Sequence, residues 1–245
     1  MQITMKDRVA VVTGGSKGIG IAVARRFAES GAKVEILARG ASDLKTAREA
    51  LAKDGLQVHD YVCDVSKASD ISATYDKIVK DHGKVDVLVN NAGTSRAMPF
   101  ETVTDAIWQE DLDLKLFAAI RLSRLVWPDM KERKWGRIIN VLNTYAKAPA
   151  ASSAPTSVSR AAGMALTKVM ASEGGEHNIL VNAMLVGLIM SDQWVKRHAA
   201  QAPDTDFEVF AKNLAKGTPL GRIGTAEEFA NLACFLASEI GRAHV

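Results

Sequence analysis

The residues best placed for chemistry come early in the chain. Thr13-Gly14-Gly15-Ser16-Lys17-Gly18-Ile19-Gly20 follows four consecutive apolar residues, Val9-Ala10-Val11-Val12, and opens a run with apolar residues at helical spacing that stops at Gly31. The apolar stretch reads as a strand buried on both faces, and the run as a helix. Glycines at 14, 18 and 20 let the backbone turn tightly and let a pyrophosphate approach main-chain N–H groups at the positive end of that helix. Without a ligand the same segment is a tight strand-to-helix turn; the strand before it and the helix after it are the context that favours a dinucleotide.

The elements that must hold this turn alternate along the chain. Residues 33–38 read as a second strand ending in Arg39-Gly40, 42–53 as a polar-faced helix, and 56–62 as a third strand leading to Cys63-Asp64-Val65. Residues 85–89 make a fourth strand ending in Asn90-Asn91-Ala92-Gly93, and helical periodicity runs over 108–130. A fifth strand covers 136–142. Pro149 and Pro155 bracket a small, polar loop before a helix at 156–172, and a sixth strand covers 180–184. Strands alternating with helices imply a single α/β domain over 1–245, a doubly wound parallel sheet of Rossmann type with ligands at the carboxyl ends of its strands. No repeat, low-complexity segment or linker interrupts it.

At 245 residues, 47% hydrophobic and 24% charged, the composition is that of one ordinary globular domain. A net charge of +3 is too mild to argue for nucleic acid or an anionic membrane. No stretch approaches the ~20 apolar residues of a membrane span, and Met1 to Lys6 runs into the first strand without a signal peptide, so the expected location is cytoplasmic. Cys63 and Cys234 stand in apolar surroundings with no partner motif; they read as reduced packing residues, and no metal is expected.

Thr13-Gly-x-x-x-Gly18-x-Gly20, with Asn90-Asn91-Ala92-Gly93 about seventy residues on, is a specific combination. Joined by Gly136-Arg137-Ile138 and Pro219-Leu220-Gly221-Arg222, it makes residues 5–239 resemble the short-chain dehydrogenase/reductase family, and within it the 3-oxoacyl-[acyl-carrier-protein] reductases. The resemblance implies an NADP(H)-dependent oxidoreductase acting on a carbonyl or hydroxyl of a small molecule. It also implies a homodimer or homotetramer built on helices 108–130 and 156–173, with Leu166 and Met170 in a symmetric interface. Cofactor contacts are implied for Gly14, Ser16, Lys17, Gly18, Ile19 and Gly20, for Asp64 and Val65 beside the adenine, for Asn91, Ala92 and Gly93 on the cleft floor, and for Gly187 and Ile189 after strand six. Asp64 also reads as a cap for the next helix. Ala38 stands where NAD-preferring members carry Asp, and Arg39 follows it. With Lys17 opposite, the basic pair reads either as a 2′-phosphate site or as two solvated charges. The family's tail runs on into a seventh strand, which this chain, stopping at Val245, is expected to lack.

Family members reduce carbonyls with an Asn, a Ser, a Tyr and a Lys, the last two spaced four apart on one helix face. Here those positions fall on Lys115, Asn143, Thr156 and Arg160. The Asn143 amide can still donate to a carbonyl oxygen. Arg160 can still hold ribose hydroxyls but releases no proton near neutrality. Thr156 is far too weak an acid to replace a phenol. Lys115, whose ammonium shifts readily on burial, and Tyr145, two residues beyond Asn143, remain as proton donors. Tyr145 reads first as a loop aromatic packed over the cleft, and otherwise as a side chain that reaches the substrate from the loop. The alternative to an enzyme is a catalytically degenerate member that binds NADP(H) as a ligand or assembles with an active homologue. Residues 191–216 are expected to form a substrate lid, with Trp194, Lys196, Arg197 and His198 on an amphipathic, basic helix.

Overall fold

Val9–Thr13 (β1) is buried at every position. A strand with no exposed face must lie inside a sheet covered on both sides, and the computed structural model, which describes residues 3–241, puts it there. In chain order the strands are β1, β2 (Lys33–Ala38), β3 (Val58–Val62), β4 (Val87–Asn90), β5 (Ala97–Met98), β6 (Gly136–Asn143), β7 (Ala154–Pro155) and β8 (Ile179–Val186). Six of them form one parallel sheet in the order β3-β2-β1-β4-β6-β8, while β5 and β7 make a short antiparallel pair of their own. The order reverses between β1 and β4, the switch point at which doubly wound sheets bind their ligands.

Alternate side chains feed two cores. On one face Val12, Val34, Ile36, Val89 and Ile139 pack with α1 (Gly18–Glu29), α2 (Ala41–Lys53) and α9 (Ala226–Ala237). On the other, Val11, Leu37, Leu88 and Ile138 pack with α3 (Ala68–His82), α5 (Ala118–Glu132) and α6 (Thr156–Gly174). Cys63 and Cys234 are free thiols, one buried in each core. Among the described residues no helix is long and apolar enough to cross a membrane.

Two expectations are corrected. The periodicity over 108–130 is carried by α4 (Asp105–Leu112) and α5, but a turn of π-helix at Asp113–Phe117 joins them. A π turn fits one extra residue into the ladder and re-aims the side chains it carries; here it turns Lys115 inward. Met170 is buried in the chain's own core and Leu166 packs against the same cluster, so α6 instead exposes Val158 and Val169. The segment 191–216 forms α7 (Asp192–Gln201) and α8 (Phe207–Ala215), and its basic groups are largely satisfied internally. Lys196 pairs with Asp192, Arg197 bonds Gln201, and His198 meets the Thr205 carbonyl between Phe207 and Phe210. The place of the expected missing seventh strand, from residue 242 on, lies outside the described residues.

Candidate functional site

The glycine turn after β1 is built where no side chain fits. Gly14 and Gly18 hold φ of +65° and +54°, and a Cβ on Gly20 would stand 2.1 Å from the Gly14 carbonyl oxygen. The tip of β4 is sewn to this turn. Thr13 Oγ1 accepts from the N–H groups of Asn91 and Ala92, both at 2.9 Å, and Asn91 Nδ2 donates to the carbonyls of Thr13 (2.9 Å) and Gly14 (3.3 Å). Asn91 therefore clamps two strand tips together. α1 begins at Gly18 with no side-chain cap, which leaves its first N–H groups for a ligand.

A cleft of about 270 Å³ opens over these tips, lined in part by Gly14, Ser16, Arg39, Val65, Ala92 and Gly93. Arg39 is exposed and makes no ion pair among the described residues. Lys17 differs: its Nζ pairs at 2.8 Å with Asp43, a bond that raises its pKa, and Asp43 itself lines the cleft. One of the two expected phosphate cations is thus already held by a carboxylate. Asp64 does not cap α3; its Oδ1 accepts from the N–H and hydroxyl of Ser66 at 3.1 and 2.7 Å, and the cap position is Lys67. Ile19 packs against the core behind the turn. Beyond β8, Gly187 faces Thr144, and Ile189 bridges to Gly224. The start of α7 descends on the turn, since a Cβ on Gly18 would lie 3.5 Å from the Asp192 nitrogen.

Next to Gly93 lies a buried polar cluster. The Lys115 side chain has no exposure; its Nζ pairs with Asp111, one turn earlier, and donates to Thr156 Oγ1 at 2.8 Å. Asp111 also accepts from Ser159 Oγ at 2.7 Å. Thr156 Oγ1 accepts a second bond from the Arg96 N–H at 2.9 Å, which leaves its own hydroxyl hydrogen to be given elsewhere. Arg160, one turn along α6, donates to the Val141 carbonyl at 2.8 Å and reaches over Gly93 so closely that a Cβ there would stand 2.5 Å from its Nη2. Burial lowers the Lys115 ammonium to about 8; Asp111 opposes this, while Arg160 and Arg96 add to it. Burial also lowers Arg160, to about 10. A lysine near 8 is charged at neutrality yet able to give up its proton close to it.

Asn143 ends β6 with its amide Oδ1 buried and without a partner among the described residues. An unserved amide at a strand tip is costly, and it offers either its oxygen or, turned over, its N–H to a ligand. Tyr145 stands apart: it lies on a short turn after β6, 41% exposed, and its hydroxyl makes no hydrogen bond among the described residues. The cluster joins Lys115 to Thr156 directly, and Arg160 stands one turn along α6 from Thr156. The cluster adds Asp111, Ser159 and Arg96, which the sequence reading missed. The signal for Asp111 was its place four residues before Lys115, on the same helix face.

A doubly wound sheet with an open glycine turn at its switch point defines a dinucleotide-binding protein. Residues 8–202 match the model of the short chain dehydrogenase family, and the chain belongs to that family. It is 37% identical, over 95% of its length and 91% of the relative's, to a protein of Streptomyces virginiae to which the role of ketoacyl reductase in monensin polyketide synthesis is ascribed. Among solved structures it resembles L-sorbose reductase from Gluconobacter frateurii in complex with NADPH and L-sorbose, with TM-score 0.93 and 33% identity over 98% of this chain and 93% of that one. It also resembles an NADPH-bound short chain oxidoreductase from Pseudomonas aeruginosa PAO1 described as containing an atypical catalytic center, with TM-score 0.87 and 35% identity over 97% and 92% of the two chains.

Proposed function

We propose that the chain is an NADP(H)-dependent oxidoreductase that interconverts a carbonyl and a hydroxyl on a small-molecule substrate, with Lys115 as the source of the proton. The observation that carries this reading is the 2.8 Å contact from Lys115 Nζ to Thr156 Oγ1, which sets an ammonium of pKa about 8 behind the hydroxyl at the family's proton-donor position. When bound, NADPH supplies the hydride. Gly14, Ser16, Gly18, Ile19 and Gly20 would hold its pyrophosphate, Arg39 its 2′-phosphate, Asp64 and Val65 its adenine, and Arg160 with Gly187 and Ile189 its nicotinamide end.

The chain's own residues do the rest. The Asn143 amide holds the substrate oxygen. As negative charge grows on that oxygen, Thr156 passes it the hydroxyl proton and takes one from Lys115 Nζ, leaving a neutral amine beside Asp111 until a solvent proton restores it. Arg160 contributes fixed charge but exchanges no proton near neutrality. The relatives' names speak for carbonyl reduction, and the 3-oxoacyl substrates implied by the sequence are one class to try. The test is NADPH consumption with 3-oxoacyl thioesters, simple ketones and ketoses, run beside a direct NADPH titration. Turnover supports the reading; tight binding without turnover on any of them selects the degenerate, ligand-binding alternative.

Cofactor choice gives a separate prediction. With Arg39 exposed at the cleft and no acid at Ala38, NADP(H) is expected to bind more tightly than NAD(H). The margin is that of a charge-assisted hydrogen bond, about 1.5–3 kcal/mol or roughly 10–100-fold. Arg39→Asp should reverse the order in a binding titration, and equal affinities in the unmodified protein would overturn the assignment. For assembly, the exposed side of α6 with Val158 and Val169 takes the place first given to Met170. Sedimentation at micromolar concentration is expected to find a dimer or tetramer, and a monomer would count against it.

A further inference from the structure

Away from the cleft, on the sheet face that α3 covers, three side chains from distant parts of the chain converge. Glu35 lies in the middle of β2 and is fully buried, His59 is its register partner on β3, and His82 is the last residue of α3. Parallel register sets Glu35 and His59 side by side on one face. Gly83, at φ +76°, stops α3 with His82 beside them. Glu35 Oε1 lies 3.1 Å from His59 Nδ1 and 2.9 Å from His82 Nε2, and the three ligand atoms all fall within 4.8 Å of one another. Glu35 Oε2 is buried with no hydrogen-bond partner among the described residues.

We propose that Glu35, His59 and His82 form a binding site for one divalent cation of the zinc class, held by two imidazole nitrogens and a carboxylate with a fourth position open to water. Metal–ligand bonds of about 2.0–2.1 Å in tetrahedral geometry separate neighbouring ligand atoms by roughly 3.3 Å, and the two short distances come within a few tenths of an ångström of that. Two neutral imidazoles bonding Oε1 would account for that oxygen alone and leave a buried carboxylate oxygen unserved, which is costly. A cation on Oε1 adds what two imidazoles do not, a full positive charge against the buried carboxylate. The site lies at the C-terminal end of α3, where the helix dipole favours positive charge. The His59 side chain is 60% exposed, so an ion can enter from solvent. Once in place it ties β3, the outer strand of the sheet, to β2 and α3.

The test is zinc chloride titrated into chelator-stripped, dialysed full-length protein, followed by calorimetry and by thermal unfolding, with Co(II) as a spectroscopic substitute. One ion per chain is expected, with the ligand-field absorption of a four-coordinate Co(II) site and a higher unfolding temperature on loading. His59→Ala and His82→Gln should each weaken binding by at least ~10–100-fold, the cost of losing even an outer-shell partner. His177→Ala should leave it unchanged. His59 is mostly exposed, so its variant reports even where His82→Gln folds poorly. Absence of saturable binding, or binding that survives His59→Ala, would overturn the site. Neither readout depends on NADPH or turnover, so this proposal and the proposed function stand or fall separately.

Discussion

Replacing Lys115 by Met is expected to slow carbonyl reduction at neutral pH by ~10²–10⁴-fold, the usual worth of a positioned general acid. Met keeps the length and apolar stem of lysine in a space with no exposure, and Asp111 retains its bond from Ser159, so the cluster can stay packed. What is lost is the only ammonium bonded to Thr156 among the described residues. The pH dependence separates a proton donor from a merely structural lysine. With its pKa lowered to about 8 by burial, Lys115 supports reduction below that pH, and the rate should fall as the ammonium is lost above it; alcohol oxidation should rise over the same range. Both limbs should vanish in Lys115→Met while NADPH still binds. Tyr145→Phe should change neither rate nor profile, as befits a side chain outside the cluster. Fast reduction by Lys115→Met with its pH limb intact would show that the proton comes from elsewhere.

The fold was legible because its signals are local. Four apolar residues before a glycine turn can only be a covered strand, and Asn90-Asn91-Ala92-Gly93 marks the neighbouring tip, which the Thr13–Asn91 bonds then lock in place. The candidate site was legible by position but not by chemistry. Lys115 and Thr156 lie 41 residues apart and meet because a π turn re-aims one of them, which helical periodicity does not reveal. Lys115 Nζ and Thr156 Oγ1 stand 2.8 Å apart, so the side chains at 115 and 156 share one space. Lys17 was read as free because its partner, Asp43, comes from the start of the next helix, a contact no local pattern encodes. Met170 was assigned to an outer face because spacing says that a helix has an apolar side but not which neighbour covers it. Glu35, His59 and His82, the residues of the proposed cation site, come from two strands and a helix, without the close ligand spacing that a motif would carry.

Asp111→Asn is expected to give the largest change in stability, together with a displaced pH profile. Asp111 is a positioning residue: it bonds Lys115 and Ser159 and stands one step behind the reacting atoms. Asn has the same shape and can still accept one of those bonds, but it leaves the Lys115 ammonium buried without a countercharge. Stranding one member of a buried pair costs about 3–5 kcal/mol, with the loss limited by the lysine giving up its proton instead. The sign follows from the direction of the shift. The folded-state pKa of Lys115, about 8, lies below the ordinary 10.5, so between these values the native state binds fewer protons than the unfolded chain and stability rises with pH. Removing Asp111 takes away the interaction that holds this pKa up, so the window extends to lower pH. The deficit of Asp111→Asn against the parent should therefore be largest in mildly acidic solution and shrink as pH rises through about 8, where the parent's lysine also gives up its proton. The falling limb of reduction should move to lower pH by the same logic. Thermal unfolding across this range and the rate profile read the one quantity independently. A uniform loss of stability with an unmoved rate limb would mean that Asp111 packs the cluster without governing the proton on Lys115.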